Sequence, residues 1–286
     1  MDVNHNSAAG LRAFLEENGL GMRKRFGQNF LINPGARLAL VRALGAETGD
    51  SVWEIGPGLG AMTGLLLRSG LKVTAFEIDS GFVRLLGKIF EGDENLSLVP
   101  GDAMKTWRGA APAPFLLGNL PYNVAASLLA DFAENGRFFR RMVVTVQREV
   151  ALRMAAGAGS RDYSSFSVLC AAFYRVRPLM VLKGASFWPR PNVDSQGVLL
   201  ELREDANSAN RPACFFPLVR HLFRARRKTA KNNLAGFLAQ TGKSPAADSG
   251  DLAASLLAGA SLDPGVRAEN LSPSDFAALA DAVQAL

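Results

Sequence analysis

A glycine-rich turn follows a predicted buried strand and opens a predicted helix, an arrangement that suits nucleotide binding. The strand spans 51–55 and the turn spans 56–60. Glycine lets the backbone turn tightly and lets a ligand approach the main chain where a Cβ would clash. Gly56, Gly58 and Ala61 also satisfy the G-x-G-x-x-A dinucleotide pattern. By itself this pattern does not separate NAD from S-adenosylmethionine.

Two acidic residues stand at the ends of the next two predicted strands. Glu77 ends the strand at 72–77, and Asp102 follows the strand near 95–99. Glu77 is at about the separation expected of a carboxylate that accepts the hydrogens of both ribose hydroxyls. In a methyltransferase an acid at the position of Asp102 binds the adenine amino group. Together with the glycine turn, the two acids predict an adenosine site.

The fourth predicted strand, 114–118, runs directly into Asn119, Leu120, Pro121 and Tyr122. An adenine amino nitrogen is a poor nucleophile because its lone pair is delocalised into the ring. The Asn119 side-chain oxygen and the carbonyl of Leu120 or Pro121 could accept both amino hydrogens and draw the nitrogen toward sp3 character. Proline fixes φ so that the carbonyl points outward, and Tyr122 offers a face for an extruded base. The tetrapeptide resembles the signature of amino-methylating nucleic-acid methyltransferases.

Other kinds of chemistry are disfavoured by composition. His5 and His221 lie far apart, and Cys170 and Cys214 form no C-x-x-C pair. We therefore expect no metal site, no Ser-His-Asp chemistry and no disulfide framework. No apolar run approaches the roughly 18 residues of a membrane span, and no signal pattern opens the chain. The expectation is a cytoplasmic monomer without a membrane partner.

The predicted elements divide the chain into two domains. A composition with 48% hydrophobic residues supports a buried core. Alternating strands and helices predict an α/β fold, a doubly wound, mostly parallel seven-stranded sheet, in residues 1–203, with the motifs beginning near 20. Residues 206–286 show only helical patterns and predict a small all-helical domain. The predicted strands lie near 51–55, 72–77, 95–99, 114–118, 142–147, 167–176 and 197–202. The predicted helices lie near 35–44, 61–69, 80–90, 124–134, 148–156, 212–224, 226–240, 248–258 and 273–284.

Positive charge is concentrated in the helical segment. The chain carries a net charge of +6, and residues 206–246 contain eight Arg or Lys and no acids. A run of charge is usually a solvated helix face, but here the acids are segregated away from it. The run therefore predicts a surface that contacts RNA phosphates without reading sequence. Its candidate residues are Arg220, Arg224, Arg226, Arg227, Lys228 and Lys231.

Several strings together resemble the ribosomal RNA adenine dimethyltransferases from about Lys24 to the C-terminus. The combination is highly specific because it joins the glycine turn and the Asn119 tetrapeptide to motifs spread over both predicted domains. The matching strings are 25–31, 54–60, 118–123, 146–150, 187–195, 226–229 with Asn232, and 267–270.

The resemblance implies a Rossmann-like, S-adenosylmethionine-dependent methyltransferase. It would dimethylate N6 of two adjacent adenosines near the 3′ end of small-subunit 16S rRNA during ribosome biogenesis, on the RNA or on a precursor particle. Tyr122 and Phe187 would sandwich the target adenine, with Asn119, Leu120 and Pro121 at the reacting amine. The implied cofactor-binding residues are Asn29, Leu31, Gly56, Gly58, Glu77, Asp102 and Asn119.

The sequence departs from the family pattern at two places, and three other functions are alternatives to this one. Residues 164–168 replace the usual G-R-L-S-V, and Asn192 stands where lysine is frequent, which affects RNA docking more than chemistry. A related family methylates large-subunit rRNA, but its members tend to carry isoleucine at the position of Leu120 and asparagine at that of Asp194. Intact Asn119, Glu77 and Asp102 argue against a purely non-catalytic assembly or transcription factor. A nicotinamide oxidoreductase does not explain residues 119–122.

Overall fold

The chain forms two compact units, one of them built from two separate segments. A computed structural model describes residues 3–22, 28–120, 124–204 and 211–286. Unit 1 comprises Met1–Ala151 and Val176–Leu202, and unit 2 comprises Leu152–Arg175 and Arg203–Leu286. The predicted division near 203 is one of three crossings between the units. The segment 152–175, predicted to lie in the first domain, belongs with the C-terminal helices.

Unit 1 contains the predicted seven-stranded sheet, in the order β4-β3-β2-β5-β6-β9-β7. The pairs β4/β3, β3/β2, β2/β5 and β5/β6 are parallel, and β6/β9 is antiparallel. A separate antiparallel pair, β1/β8, places Leu31 opposite Phe187. The strands are β1 Phe30–Leu31, β2 Ser51–Ile55, β3 Lys72–Glu77, β4 Leu96–Pro100, β5 Phe115–Asn119, β6 Arg141–Gln147, β7 Tyr174–Leu182, β8 Phe187–Trp188 and β9 Ser195–Leu202.

Helices connect these strands, and several begin at a polar cap. Asn33 accepts a hydrogen bond from the Ala36 N–H and precedes Pro34, the first residue of α2. Asp79 caps α4 in the same way, by accepting from the Gly81 N–H. The helices are α1 Ala8–Glu17, α2 Pro34–Leu44, α3 Thr63–Arg68, α4 Ser80–Ile89, α5 Ala103–Thr106, α6 Ala125–Glu134, α7 Arg148–Ala155, α8 Ser165–Phe173, α9 Phe215–Leu222, α10 Ala230–Gln240, α11 Ser249–Gly259 and α12 Pro273–Gln284.

The predicted strand at 167–176 is wrong, because most of it is helix α8. Ser164 and Ser167 form a capping box that starts this helix. The strand follows instead as β7, at the edge of the sheet. An edge strand tolerates Pro178 because a missing N–H there breaks no central ladder. A short apolar run does not distinguish a buried strand from a buried helix by its period.

Unit 2 joins α8 to the C-terminal helices through aromatic contacts. The Tyr163 hydroxyl donates to the Leu271 carbonyl at 2.8 Å, and the Phe173 and Phe216 rings stack with centroids 5.9 Å apart. Phe223 and Phe276 stack at 5.7 Å. None of the helices in the described part of the chain has the length and apolarity needed to cross a membrane.

Candidate functional site

A cavity of about 210 Å³ in unit 1 brings the predicted cofactor residues together. Gly56 follows β2, Glu77 ends β3, Asp102 follows β4 and Asn119 ends β5. Because these strands are parallel neighbours, their carboxyl ends meet at one edge of the sheet. The structure places all the predicted cofactor residues on the cavity wall: Asn29, Leu31, Gly56, Gly58, Glu77, Asp102 and Asn119.

The glycine turn needs its glycines for both conformation and space. Gly56 and Gly58 have φ of 70° and 60°, in the left-handed region. A Cβ on Gly58 would lie 2.8 Å from Cε1 of Phe30, too close for a real contact. The Gly58 N–H also donates to Oε2 of Glu77 at 3.1 Å. The turn is therefore held against both Glu77 and the segment that carries Asn29.

Glu77 is buried and held in one orientation by backbone donors. Its Oε1 accepts from the Asp79 N–H at 2.8 Å, while Oε2 accepts from Gly58. The side chain is 5% exposed, and this burial raises the pKa of Glu77 to about 7 despite those hydrogen bonds. Each carboxylate oxygen keeps a further lone pair for a ligand hydroxyl. The charge available to a ligand therefore changes near neutral pH.

Asp102 caps α5 and lies on the same wall. Its Oδ1 accepts from the Met104 N–H at 3.0 Å, which fixes the carboxylate. Within the described residues Oδ2 has no recorded hydrogen-bond donor. An acceptor in this position suits an exocyclic amine of a bound base.

The side chain of Asn119 is oriented by the backbone of Asn29. Its Nδ2 donates to the Asn29 carbonyl at 2.7 Å. A carbonyl only accepts, so the amide nitrogen must face it and Oδ1 must point away. Among the described residues Oδ1 has no recorded partner. The segment carrying Asn29 is held in turn by the pairing of Phe30 with Trp188. Asn119 thus presents an acceptor at the end of β5.

The other residues predicted to contact the target base do not line the cavity or are not described. Leu120 is 1% exposed and its N–H donates to the Thr145 carbonyl at 3.1 Å. Phe187 is 3% exposed, packs in the core cluster that contains Leu31, and is not on the cavity wall. Pro121 and Tyr122 lie outside the described residues. The stacking roles of Tyr122 and Phe187 stay predictions.

The cavity wall also carries two basic side chains that were not predicted to bind the cofactor, Arg37 and His5. Arg37 is 5% exposed although it is charged. The sequence contained a signal for this burial, because Arg37, Leu40, Val41 and Leu44 follow one another at i, i+3, i+4 and i+7. All four are buried in α2. This spacing is the apolar stripe of a helix, where an arginine requires a partner.

The basic residues of unit 2 lie differently from their prediction. Helix α10 begins at Ala230, capped by Thr229, so the predicted helix from 226 is wrong at its start. Residues 226–228 form part of the connection between α9 and α10. Arg226 donates from Nε and Nη2 to Oε2 of Glu269, at 3.1 and 3.0 Å. Arg227 and Lys228 are exposed, with no recorded partner in the described part of the chain.

Comparison with known proteins identifies the family. A family model described as "Ribosomal RNA adenine dimethylase" matches residues 19–248. The chain belongs to this family. A relative in Treponema pallidum (strain Nichols), named "Ribosomal RNA small subunit methyltransferase A", is 45% identical over 99% of this chain and 98% of the relative. A relative of the same name in Treponema denticola is 40% identical over 98% of this chain and 96% of its own length.

Solved structures agree with the fold of this rRNA adenine dimethylase. A dimethyladenosine transferase from Plasmodium falciparum has a TM-score of 0.72 and 28% identity, covering 86% of this chain and 94% of its own. The 23S rRNA methyltransferase ErmE has a TM-score of 0.61, covering 88% of this chain and 98% of its own; at 19% identity it shows the fold alone. The membership confirms the prediction of an S-adenosylmethionine-dependent methyltransferase of ribosomal RNA adenine.

Proposed function

We propose that this chain dimethylates N6 of two adjacent adenosines near the 3′ end of small-subunit 16S rRNA, acting as a cytoplasmic monomer during ribosome biogenesis. The name and full-length coverage of the Treponema relatives support the choice of the small subunit. The single observation in the structure that best supports the chemistry is the hydrogen bond from Asn119 to the Asn29 carbonyl. It leaves an acceptor, and not a donor, facing the reaction centre.

The cavity residues fit S-adenosylmethionine, with acids for its adenosine and Asn119 beside its methyl group. Glu77 would accept the ribose hydroxyls, and Asp102 would accept from the adenine amino group. The bound cofactor supplies a methyl group attached to a sulfonium sulfur. The sulfur is a good leaving group because it departs as a neutral thioether. Asn119 Oδ1, with the Leu120 or Pro121 carbonyl, would accept the two N6 hydrogens of the target. The residues therefore contribute mainly position and electrostatics.

The proton released from N6 does not require a buried base in this scheme. His221 belongs to unit 2, and the scheme assigns no proton transfer to His5 on the cavity wall. Water at the mouth of the cavity can take the proton after the methyl has been transferred. Before the transfer, Asn119 keeps the N6 nitrogen oriented so that its lone pair points at the methyl carbon.

The test is methyl transfer onto isolated ribosomal subunits. The protein would be incubated with radiolabelled S-adenosylmethionine and either undermethylated small subunits or large subunits, and the RNA digested to nucleosides. We expect label only in small-subunit RNA, recovered as N6,N6-dimethyladenosine. Label confined to large-subunit RNA would contradict the proposed substrate, and label in neither would leave the proposed activity without support. Label as N6-methyladenosine alone would contradict dimethylation.

Replacing Glu77 by alanine should weaken binding of S-adenosylhomocysteine by about 1.5–3 kcal/mol, the range for hydrogen bonds to a charged group. The reason is the loss of the carboxylate that would hold both ribose hydroxyls. Calorimetry measures the affinity, and a thermal melt checks folding, since Gly58 and Asp79 also lose an acceptor. Glu91→Ala, at an exposed position, is the matched control. Unchanged affinity in a folded Glu77→Ala protein would reject the assignment.

Binding of S-adenosylhomocysteine should strengthen as pH rises through about 7. The pKa of Glu77 is raised to about 7, so below this pH the carboxyl is protonated and is a weaker acceptor for the ribose hydroxyls. Binding favours the ionised form, and one linked proton weakens the affinity about tenfold for each pH unit below the pKa. Calorimetry between pH 5.5 and 8 measures the slope, which should be absent in Glu77→Ala. A flat profile for the wild type would contradict the role of Glu77.

Unit 2 is proposed to dock the RNA through its basic residues. Arg227 and Lys228 are exposed, and Arg220 and Arg224 lie on or just after α9. Their chemistry suits phosphate contacts that position the RNA. Arg226 forms an ion pair with Glu269, so its charge is partly neutralised within unit 2.

A further inference from the structure

Arg37 is a buried cation on the wall of the cavity. It lies in the first turns of α2, is 5% exposed, and lines the same cavity as Gly56, Glu77 and Asn119. Taking a guanidinium out of water is costly unless an opposite charge or a full set of hydrogen bonds replaces its hydration. Such a residue on the wall of a ligand cavity therefore calls for an identified counter-charge.

Neutral oxygens satisfy only part of this guanidinium. Nη1 donates to the carbonyls of His5 at 2.9 Å and Leu31 at 2.6 Å, and Nη2 donates to Oδ1 of Asn6. Three of its five N–H groups are thus engaged. In the described part of the chain the other two, including the one on Nε, have no recorded acceptor. No carboxylate there pairs with Arg37, and burial lowers the pKa of Arg37 without an acid to offset it.

We propose that Arg37 binds the carboxylate of the amino-acid tail of S-adenosylmethionine. This inference rests on the proposed function and assigns a residue to the part of the cofactor that the strand-end acids do not hold. Two neighbouring N–H groups of a guanidinium match the two oxygens of a carboxylate. Among the described residues that line the cavity, Arg37 is the one arginine or lysine.

The contacts of Arg37 place it beside the reacting end of the site. It bonds the Leu31 carbonyl, and Leu31 is two residues from Asn29, whose carbonyl orients Asn119. In S-adenosylmethionine the amino-acid tail and the methyl group are both attached to the sulfonium sulfur, so the tail starts beside the reacting methyl. Glu77 and Asp102, by contrast, follow β3 and β4 and suit the adenosine. Near Glu77 and Asp102 the carboxylate of the tail would be repelled, whereas Arg37 would attract it.

The test compares two ligands that differ in the tail. S-adenosylhomocysteine carries the carboxylate, and 5′-methylthioadenosine lacks the whole amino-acid part. Their affinities would be measured by calorimetry for the wild type, Arg37→Leu and Arg42→Leu. Arg42 is an exposed arginine on the same helix and serves as the matched control. Because the two ligands are compared within each protein, a general loss of active protein cancels.

We expect Arg37→Leu to weaken S-adenosylhomocysteine about 10- to 100-fold, the range for a charged hydrogen-bonded pair, and 5′-methylthioadenosine less than about threefold. Arg42→Leu should change neither. An equal loss for both ligands would overturn the inference, because Arg37 would then only hold the segment of His5 and Asn6. Unchanged binding of both would overturn it as well. If the wild type bound neither ligand, the proposed cofactor itself would fail.

A second variant covers the case in which Arg37→Leu does not fold. Arg37→Gln keeps an amide that can donate to the His5 or Leu31 carbonyl but removes the positive charge. It should retain the binding of 5′-methylthioadenosine and lose about tenfold or more for S-adenosylhomocysteine. Arg37→Gln with full affinity for both ligands would contradict a role in holding the carboxylate.

Discussion

Asn119→Ala is expected to lower kcat for methyl transfer by about 10²–10³-fold or more, the scale seen when one oriented polar group is removed from a reaction centre. Binding of S-adenosylhomocysteine should fall only modestly. The side-chain oxygen of Asn119 faces the target amine in the proposed mechanism, while its amide nitrogen is engaged with Asn29. Single-turnover transfer measures the chemical step, and calorimetry measures the cofactor.

Two further variants show whether orientation, and not merely polarity, matters at this position. Asn119→Asp would place a carboxylate oxygen against the Asn29 carbonyl, so we expect it to lose transfer as well. Asn95→Ala, at an exposed asparagine of unit 1, should retain the wild-type rate. Near-normal turnover of Asn119→Ala would require the proposed N6 chemistry to be abandoned.

Reversing the charge at Arg227 and Lys228 together is expected to abolish activity by losing RNA, with chemistry and cofactor binding intact. Both side chains are exposed, and each phosphate contact contributes about −0.9 to the slope of log affinity against log salt on a duplex. The double variant should therefore flatten that slope by about 2. RNA affinity at several salt concentrations gives the slope, and calorimetry with S-adenosylhomocysteine gives the cofactor affinity.

Arg226 is left out of this double variant because it pairs with Glu269. Reversing its charge would place two acids together within unit 2 and could destabilise it, which a thermal melt would reveal. Lys72→Glu with Lys88→Glu is the matched control, since both are exposed and belong to unit 1. Lys72 begins β3, at the opposite end of that strand from Glu77. A folded Arg227→Glu, Lys228→Glu protein with unchanged RNA affinity would mean that the basic run is only a solvated surface.

The residues at strand ends could be predicted from sequence because they depend on local pattern and on one rule of parallel sheets. Gly56, Glu77, Asp102 and Asn119 each follow a recognisable apolar strand, and neighbouring parallel strands bring such positions together. The same reasoning failed at α8, where an apolar run fits either period and tertiary packing decides. The capping box of Ser164 and Ser167 was the local signal that would have corrected it.

Contacts between segments that lie far apart in the chain could not be predicted from a single sequence. Asn119 and Asn29 are separated by 90 residues, and nothing in their local patterns predicts that a backbone carbonyl will orient the amide. Arg37 is a similar case, because its partners His5 and Asn6 precede it by 32 and 31 residues. The position of an arginine in an apolar stripe indicates burial, but it does not say what the charge faces.

The discontinuous composition of unit 2 has a consequence for how the chain folds as it leaves the ribosome. Tyr163 bonds a carbonyl 108 residues further along, and at about 5–20 residues per second that carbonyl emerges about 5–20 s later. Phe216, which stacks on Phe173, comes only 43 residues after it, but during this interval α8 still lacks α12, the last of the helices against which it packs. The nascent protein therefore leaves part of the apolar surface of α8, which includes Phe166, Leu169 and Phe173, uncovered until translation is almost complete. Premature termination after 203 would leave that helix permanently uncovered.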